Sequence, residues 1–501
     1  MITLTALDSE HGFTSGDLSP QGYFAMVPAF QKMYFASGRP YNASIHSSGY
    51  HKLDFINTKL TGTASGAFTP GEVLTQASTG AKGIFDESVS DTHFVYRITT
   101  VQFNTTNVVT GADSGETVTP SAVTAPPHWL NWTAASGSFP DGGSNAMALY
   151  LGRLFMNDMY HPNQWLCTRQ GDPLDLDTSQ TDVGAAANSQ TSLAGMVGDQ
   201  IIGFIPYKNY YMIFGGASEI WILRGDPAQG GTLSNLSYED GLFSPDSYCW
   251  DDRGNLYYLG LTGLYRLPPD IATADTSPTN VLLGSAPSLI KDLGLNRRTD
   301  RVTVAYDKDR KQVLISTCLK DGLWSTSFVY DVRTDGIYPM DFHSDAYPTC
   351  AYYHNSYSGS LRHLLIGGQD GYIRKFDEDS TNDDTTESTA AISSDCIIGP
   401  IKMSDITRGS GKISELSIDM SVETTGCNWY VYCGDTAQEV VDSIISGDTP
   451  QNSGSFTAGG QHIIRGKLRG QWFAIRLSNA TASKIWGLEG IKISAAKSGR
   501  N

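Results

Sequence analysis

Gly409-Ser410-Gly411-Lys412 has the residue types of a phosphate-binding loop, where backbone N–H groups and a lysine cradle phosphate oxygens and a following hydroxyl holds magnesium. The earlier glycine is missing, because Ile406 occupies its position, and Ile413 stands where the hydroxyl belongs, so the stretch reads as a turn. Asp172, Asp175, Asp177 and Asp182 are close enough in sequence to gather around calcium. Gln180 replaces the glycine that a calcium loop needs and Ala186 replaces its bidentate Glu, which leaves them as solvated turn acids. None of the ten histidines belongs to a His-Glu-x-x-His pair, and no Cys-x-x-Cys pair exists, so the usual zinc signatures are absent. Ser65, Ser114 and Ser410 lie near glycines but outside any Gly-x-Ser-x-Gly elbow. No catalytic residue, metal ligand or cofactor is nominated, and the chain reads as a non-enzyme.

Residues 244–250 approach the Asp box of sialidase propellers, but Tyr248 takes the place of its glycine. Paired carboxylates for glycoside cleavage stay open, since in a propeller they come from distant blades. The remaining charged feature is basic. Arg465, Lys467, Arg469 and Arg476 fall around one or two strands near the end of a chain whose formal net charge is −17. From Pro400 onward there are 11 Lys+Arg against 9 Asp+Glu, about +2, which leaves about −19 on the first 399 residues. These four residues are the candidate subunit or partner interface; the alternative is that they only solvate a surface. An acidic body repels nucleic acid at long range, which argues against sequence-specific DNA reading.

The elements that must carry these residues are strands. With 40% hydrophobic and 17% charged residues, 52 glycines and 25 tyrosines, the composition fits a turn-dense all-β protein. One pattern, an apolar run, a glycine-containing turn and a second apolar run, occurs at residues 213–223 and 258–267 and again at 365–376. Each copy reads as a hairpin in which glycines, Gly216 and Gly263 among them, supply positive φ. A strand candidate precedes each copy, so the unit is a three- or four-stranded meander, and a row of meanders buries its faces most economically as a β-propeller, here of five or six blades. Helical periodicity is confined to residues 287–293 and 436–445. The seven cysteines are scattered through apolar runs and read as mostly buried free thiols. Residues 1–10 lack the basic region and apolar core of an export signal, and no apolar run is long enough to span a bilayer.

Four segments follow: an N-terminal propeller segment over 1–60, an inserted β subdomain or arm over 61–144, the main propeller body over 145–395 and a C-terminal β-sandwich over 396–501. The acidic run at 377–387 is read as a surface loop or linker at a domain edge.

The order of features resembles the tail-nozzle or packaged-DNA-stabilisation proteins of short-tailed bacteriophages. Residues 169–173 with Gly171-Asp172-Pro173, residues 213–227 with Gly225-Asp226-Pro227, and Gly263-Leu264-Tyr265-Arg266 look like the family's propeller segments. Residues 465–473 and 486–490, finishing at Gly499-Arg500, look like its terminal domain. The resemblance covers about two-thirds of the chain. It implies a structural virion protein, made in the host cytoplasm, that forms a homo-oligomeric, hexameric ring below the portal and adaptor. DNA would pass through the lumen without sequence-specific binding, to be retained and then ejected. The expectation from another class is a carbohydrate-binding or carbohydrate-cleaving propeller, either a receptor-binding tail protein or a glycosidase.

Overall fold

The computed structural model describes residues 24–37, 49–208, 210–269, 277–318, 326–343, 346–357, 359, 362–368, 370–376, 380–384, 389–403, 411–466 and 468–497. Residues 1–10, Gly409-Ser410, Lys467, Gly499-Arg500 and much of the acidic run at 377–387 lie outside them. The chain is all-β, with β-propeller blades, an inserted β sheet and a C-terminal β-sandwich. It divides into two compact units, residues 1–248 with 253–297 and residues 249–252 with 298–501.

In the first unit, the first blade consists of Phe24–Ala29, Lys32–Ser37, Tyr50–Asp54 and His128–Asn131. The second is Met147–Tyr150, Arg153–Asn157, Trp165–Cys167 and Ala187–Asn188; the third is Ile201–Tyr207, Tyr211–Gly216, Ile220–Arg224 and Thr232–Ser237. The fourth comprises, in this unit, Leu256–Leu259, Leu264–Leu267 and Thr279–Asn280. Blades bury both faces, so their strands read as nearly continuous apolar runs. Phe155, Trp165, Phe204 and Phe214 interleave between the second and third blades, with Phe204 and Phe214 edge-to-face at 5.0 Å. Such a pair adds about 0.5–1.5 kcal/mol beyond its area.

Adjacent blades are also tied by a recurrent polar contact. The Trp132 indole N–H donates to the carbonyl of Pro173 at 3.0 Å, Tyr150 Oη to that of Gly225 at 3.3 Å, and Tyr207 Oη to that of Pro268 at 2.7 Å. Each time an aromatic donor reaches a proline-containing turn of the following blade, which explains the two Gly-Asp-Pro turns. The second of these also holds Asp226, whose carboxylate pairs at 3.1 Å with Nε of Arg153, a fully buried side chain. Four carbonyls satisfy the rest of that guanidinium: those of Thr168, Val183, Gly184 and Ala185.

The segment expected over 61–144 is a seven-stranded sheet running from Thr58–Thr61 to Ala122–Thr124, with its own core of Leu60, Phe68, Leu74, Phe85, Val95 and Val109. Its end differs from the expectation: His128–Asn131 pairs with Tyr50–Asp54 and Trp132 packs on Tyr34, so residues beyond 124 return to the first blade. The insertion therefore leaves and re-enters one blade between its third and fourth strands.

In the second unit, Arg301–Asp307, Gln312–Cys318, Thr326–Asp331 and Gly336–Met340 form the fifth blade. Pro348–His354, His363–Gly368 and Ile373–Lys375 form the sixth, which has three strands among the described residues. Two facing sheets make the sandwich: Ser394–Lys402, Trp472–Asn479, Cys427–Gly434 and Asn452–Phe456 in one, and Gly411–Met420 paired with Gly460–Ile464, Leu468–Gly470 and Leu488–Lys497 in the other. Leu416, Ile418, Val431, Phe473 and Ile475 fill the space between them. The helix Ala437–Ser446 starts where Thr436 accepts from the Glu439 N–H and stops at Gly447 with φ 70°; Val440 and Ile444 bury its apolar face. All seven cysteines are free, with Cys350 exposed, contrary to the general expectation of burial.

The expected role of Gly216 and Gly263 needs correction. Neither has positive φ. The constraint at Gly216 is space, because a Cβ there would meet the Glu219 carbonyl and the Asp199 carboxylate at 2.7 Å, whereas at Gly263 it would meet only the Asn280 side chain. Gly216→Val should therefore cost about 1–3 kcal/mol, as overpacking does, and Gly263→Val less, because the Asn280 side chain can shift at the loss of its bond from the Leu282 N–H. Equal losses in urea unfolding would contradict this account.

Candidate functional site

The turns of the third and fourth blades share one construction. In Gly216-Ala217-Ser218-Glu219, the Gly216 N–H bonds the Glu219 carbonyl at 2.8 Å; in Gly260-Leu261-Thr262-Gly263, the Gly260 N–H bonds the Gly263 carbonyl at 2.9 Å. A two-residue reversal leaves outward N–H groups unpaired, and here an acid from the segment entering the blade accepts them. Asp199 Oδ2 receives the N–H groups of Ser218 and Glu219 and the Ser218 hydroxyl. Asp240 Oδ2 receives the Thr262 N–H at 2.8 Å and hydroxyl at 2.7 Å. The turns are neighbours, since the Leu242 N–H bonds the Gly216 carbonyl at 2.8 Å.

These contacts bring Asp199, Glu219 and the buried Asp240 to two adjoining turns of the first unit, with Glu239 next to Asp240 in the chain. Glu219 is itself oriented by the Trp221 indole N–H at 2.8 Å and the Asn235 amide at 2.9 Å, while Glu239 is exposed. Arg297 lies near Asp240 and Asp199 and offsets part of that charge; burial lowers its pKa and the two acids oppose the shift. The part-exposed carboxylates Asp199 and Glu219, with exposed Glu239, offer negative charge for attracting cations or basic surfaces.

A second cluster joins the inserted sheet to the first blade. Lys32 Nζ lies 2.6 Å from Asp86 and from Glu87 and 3.8 Å from Asp54, and Lys52 Nζ lies 2.6 Å from Glu87. Asp54, Asp86 and Glu87 are close enough together to hold a cation, and the Lys32 ammonium occupies that position. Burial opposes the charge on Lys32, but Glu87 and Asp86 outweigh it and raise its pKa above the ordinary lysine value. On Lys52 burial prevails over Glu87 and lowers the pKa. Burial would raise Glu87, yet Lys52 and Lys32 pull it below the usual carboxylate range. The cluster is a structural joint, with Asn57 donating to Asp54 at 2.7 Å and to Asp86 at 2.8 Å.

The basic residues singled out from the sequence do not form one patch. Arg476 is on Trp472–Asn479, bonded to Asp395 at 2.6 Å and lying over the Tyr430 ring at 6.0 Å. Arg465 and Arg469 belong to the other sheet, Arg465 exposed and 3.4 Å from Glu415, Arg469 opposite Lys412. Lys467 is outside the described residues. The correction has a simple cause: residues 465 and 476 are separated by a strand change that carries the chain across the sandwich. Lys412 and Lys492 join Arg465 and Arg469 on the same sheet. Their signal was alternation, outward at 412 and 492 between the core positions 413, 491 and 493.

The acids at 172–182 are turn acids in the structure: Asp182 pairs with Arg169 at 2.7 Å, and Asp172 and Asp177 accept from N–H groups two residues on. Among the described residues no helix is long and apolar enough to cross a membrane.

No family model and no curated protein matches the chain. Solved structures with some likeness include a streptogramin B lyase, at 11% identity and TM-score 0.30 over 70% of this chain and 89% of that one. A quinonprotein alcohol dehydrogenase-like protein from Bacteroides thetaiotaomicron gives 12% identity and TM-score 0.29 over 66% and 68%. The extracellular domain of a putative hybrid two component system from the same organism gives 11% and 0.33 over 93% and 49%. At these scores the likenesses carry no argument about activity.

The joint makes a definite prediction for Glu87→Gln. Two buried ammonium groups lose their shared partner, which should cost about 3–5 kcal/mol near neutral pH. Because Glu87 titrates below its unfolded value, its contribution is complete above the ordinary carboxylate range and disappears as pH falls through the lowered pKa. Urea unfolding should therefore show a wild-type advantage that shrinks in acid; an advantage constant with pH would contradict the ion-pair account.

Proposed function

We propose that this protein is a structural virion component of the tail-nozzle class, a ring-forming part that continues a DNA channel and contributes to genome retention and release. The observation that carries the reading is the way the extra modules are attached. The inserted sheet is clamped to a single blade by the Lys32, Lys52, Asp86 and Glu87 cluster, as suits a load-bearing projection rather than a loop. The C-terminal sandwich supplies a second β module with a broad polar sheet surface. The net charge of −17 favours passage of DNA without adhesion. In this reading the protein is not an enzyme, its partners are further copies of itself and neighbouring virion proteins, and it works in the virion.

Exposed tyrosines favour one other reading. Tyr352 and Tyr372 on the sixth blade are 72% and 60% exposed, and the Asp370–Arg374 ion pair lies beside Tyr372. Aromatic surface beside an acid is the chemistry of carbohydrate recognition.

Sedimentation equilibrium separates the two. The nozzle reading expects a particle of about six chains, with no turnover and no retention of labelled oligosaccharide. A monomer that clears or retains the sugar, and loses this on Tyr352→Ala with Tyr372→Ala, would overturn it.

A further inference from the structure

The outer face of the sheet centred on Gly411–Met420 is polar, and on it Lys412, Arg465, Arg469 and Lys492 outnumber the acids Glu415 and Asp419. Lys412 and Arg469 stand directly opposite one another across neighbouring strands, and among the described residues neither has an ion-pair partner. Like charges so placed destabilise a sheet unless negative charge covers them. Lys492 lies on the far side of Ser417, with half-exposed Ile463 on the near side, and Arg465, 3.4 Å from Glu415, extends the row. The first unit carries the complement: part-exposed Asp199 and Glu219, held at a hairpin turn, and exposed Glu239, with buried Asp240 and Arg297 behind them.

We propose that this sheet face is the docking surface for a second copy of the chain, and that it seats on the acidic turn face of that copy's third and fourth blades. The inference rests on the ring-forming reading and deepens it by naming both surfaces. A contact between two different patches is head-to-tail, the kind that closes rings rather than pairs. Charge complementarity across it would govern association rate and orientation more than total affinity. The uneven charge of the chain follows, because the basic patch faces an acidic neighbour instead of solvent.

Two variants test this by charge exchange. One carries Lys412→Glu, Arg465→Glu, Arg469→Glu and Lys492→Glu; the other carries Glu219→Lys and Glu239→Lys, which spares the capping acids Asp199 and Asp240. Each is first checked for wild-type circular dichroism, and assembly is read by sedimentation at low and moderate salt. The expected result is that the first variant assembles at least tenfold less readily than wild type at low salt. Mixing it with the second should restore mixed particles, which a merely misfolded protein would not form. Wild-type rings matched by equally good rings of the first variant would overturn the docking surface and leave the ring-forming reading standing. Monomeric wild type at every concentration would overturn both.

Discussion

A carboxylate accepting backbone N–H groups across a neighbouring hairpin is the contact on which the rest of the first unit depends. A tight reversal between two strands leaves N–H groups facing outward, and a segment entering the next sheet needs an anchor. Asp199 and Asp240 solve both problems with one side chain each, tying the entering segment to the turn it passes. Charge-assisted bonds of this kind are stronger than neutral ones, and several converge on each acid. At Asp199 the same contact leaves negative charge partly exposed, whereas Asp240 is buried beneath its turn.

Other contacts hold the blades to one another. Trp132, Tyr150 and Tyr207 each donate to a carbonyl in the following blade, and the buried Arg153 pairs with Asp226 beside one of those turns. These directional contacts set how one blade meets the next, which apolar packing of Phe155, Phe204 and Phe214 alone would not specify. The inserted sheet follows the same logic with ions, since Glu87 reaches two lysines on adjacent strands of the first blade. Polar groups thus define the joints, and aromatic groups supply most of the buried area.

The blades were legible because their strands are buried on both faces and therefore written as continuous apolar runs with glycine turns. The hairpins at Tyr211–Gly216 with Ile220–Arg224 and at Leu256–Leu259 with Leu264–Leu267 fall where the repeat put them. Thr436 and the apolar spacing after it marked the helix Ala437–Ser446. The insertion was legible as an inserted β subdomain or arm, but not as a seven-stranded sheet. Strands such as Thr117–Val118 and Ala122–Thr124 are two or three residues long, too short to show a period, and their pairing is mostly non-local. In the sandwich, Asn452–Phe456 is largely Ser and Gly and gave no apolar signal. The capping acids were hidden for another reason: an Asp ahead of a strand looks like any loop acid until the turn it reaches is folded beside it. Arg465 and Arg476 are close in sequence yet lie on opposite sheets, because strand connectivity, not spacing, decides which charges share a surface.

Native-state hydrogen exchange of single amides addresses the capping contact most directly. In Asp199→Ala the Ser218 and Glu219 amides, and in Asp240→Ala the Thr262 amide, lose a bond to a charged acceptor worth about 1.5–3 kcal/mol. The account predicts that these amides exchange about 10- to 100-fold faster, each set in its own variant, while the strand amides of the second blade keep their protection. Unchanged exchange at all three positions would contradict the claim that the two carboxylates hold the turns.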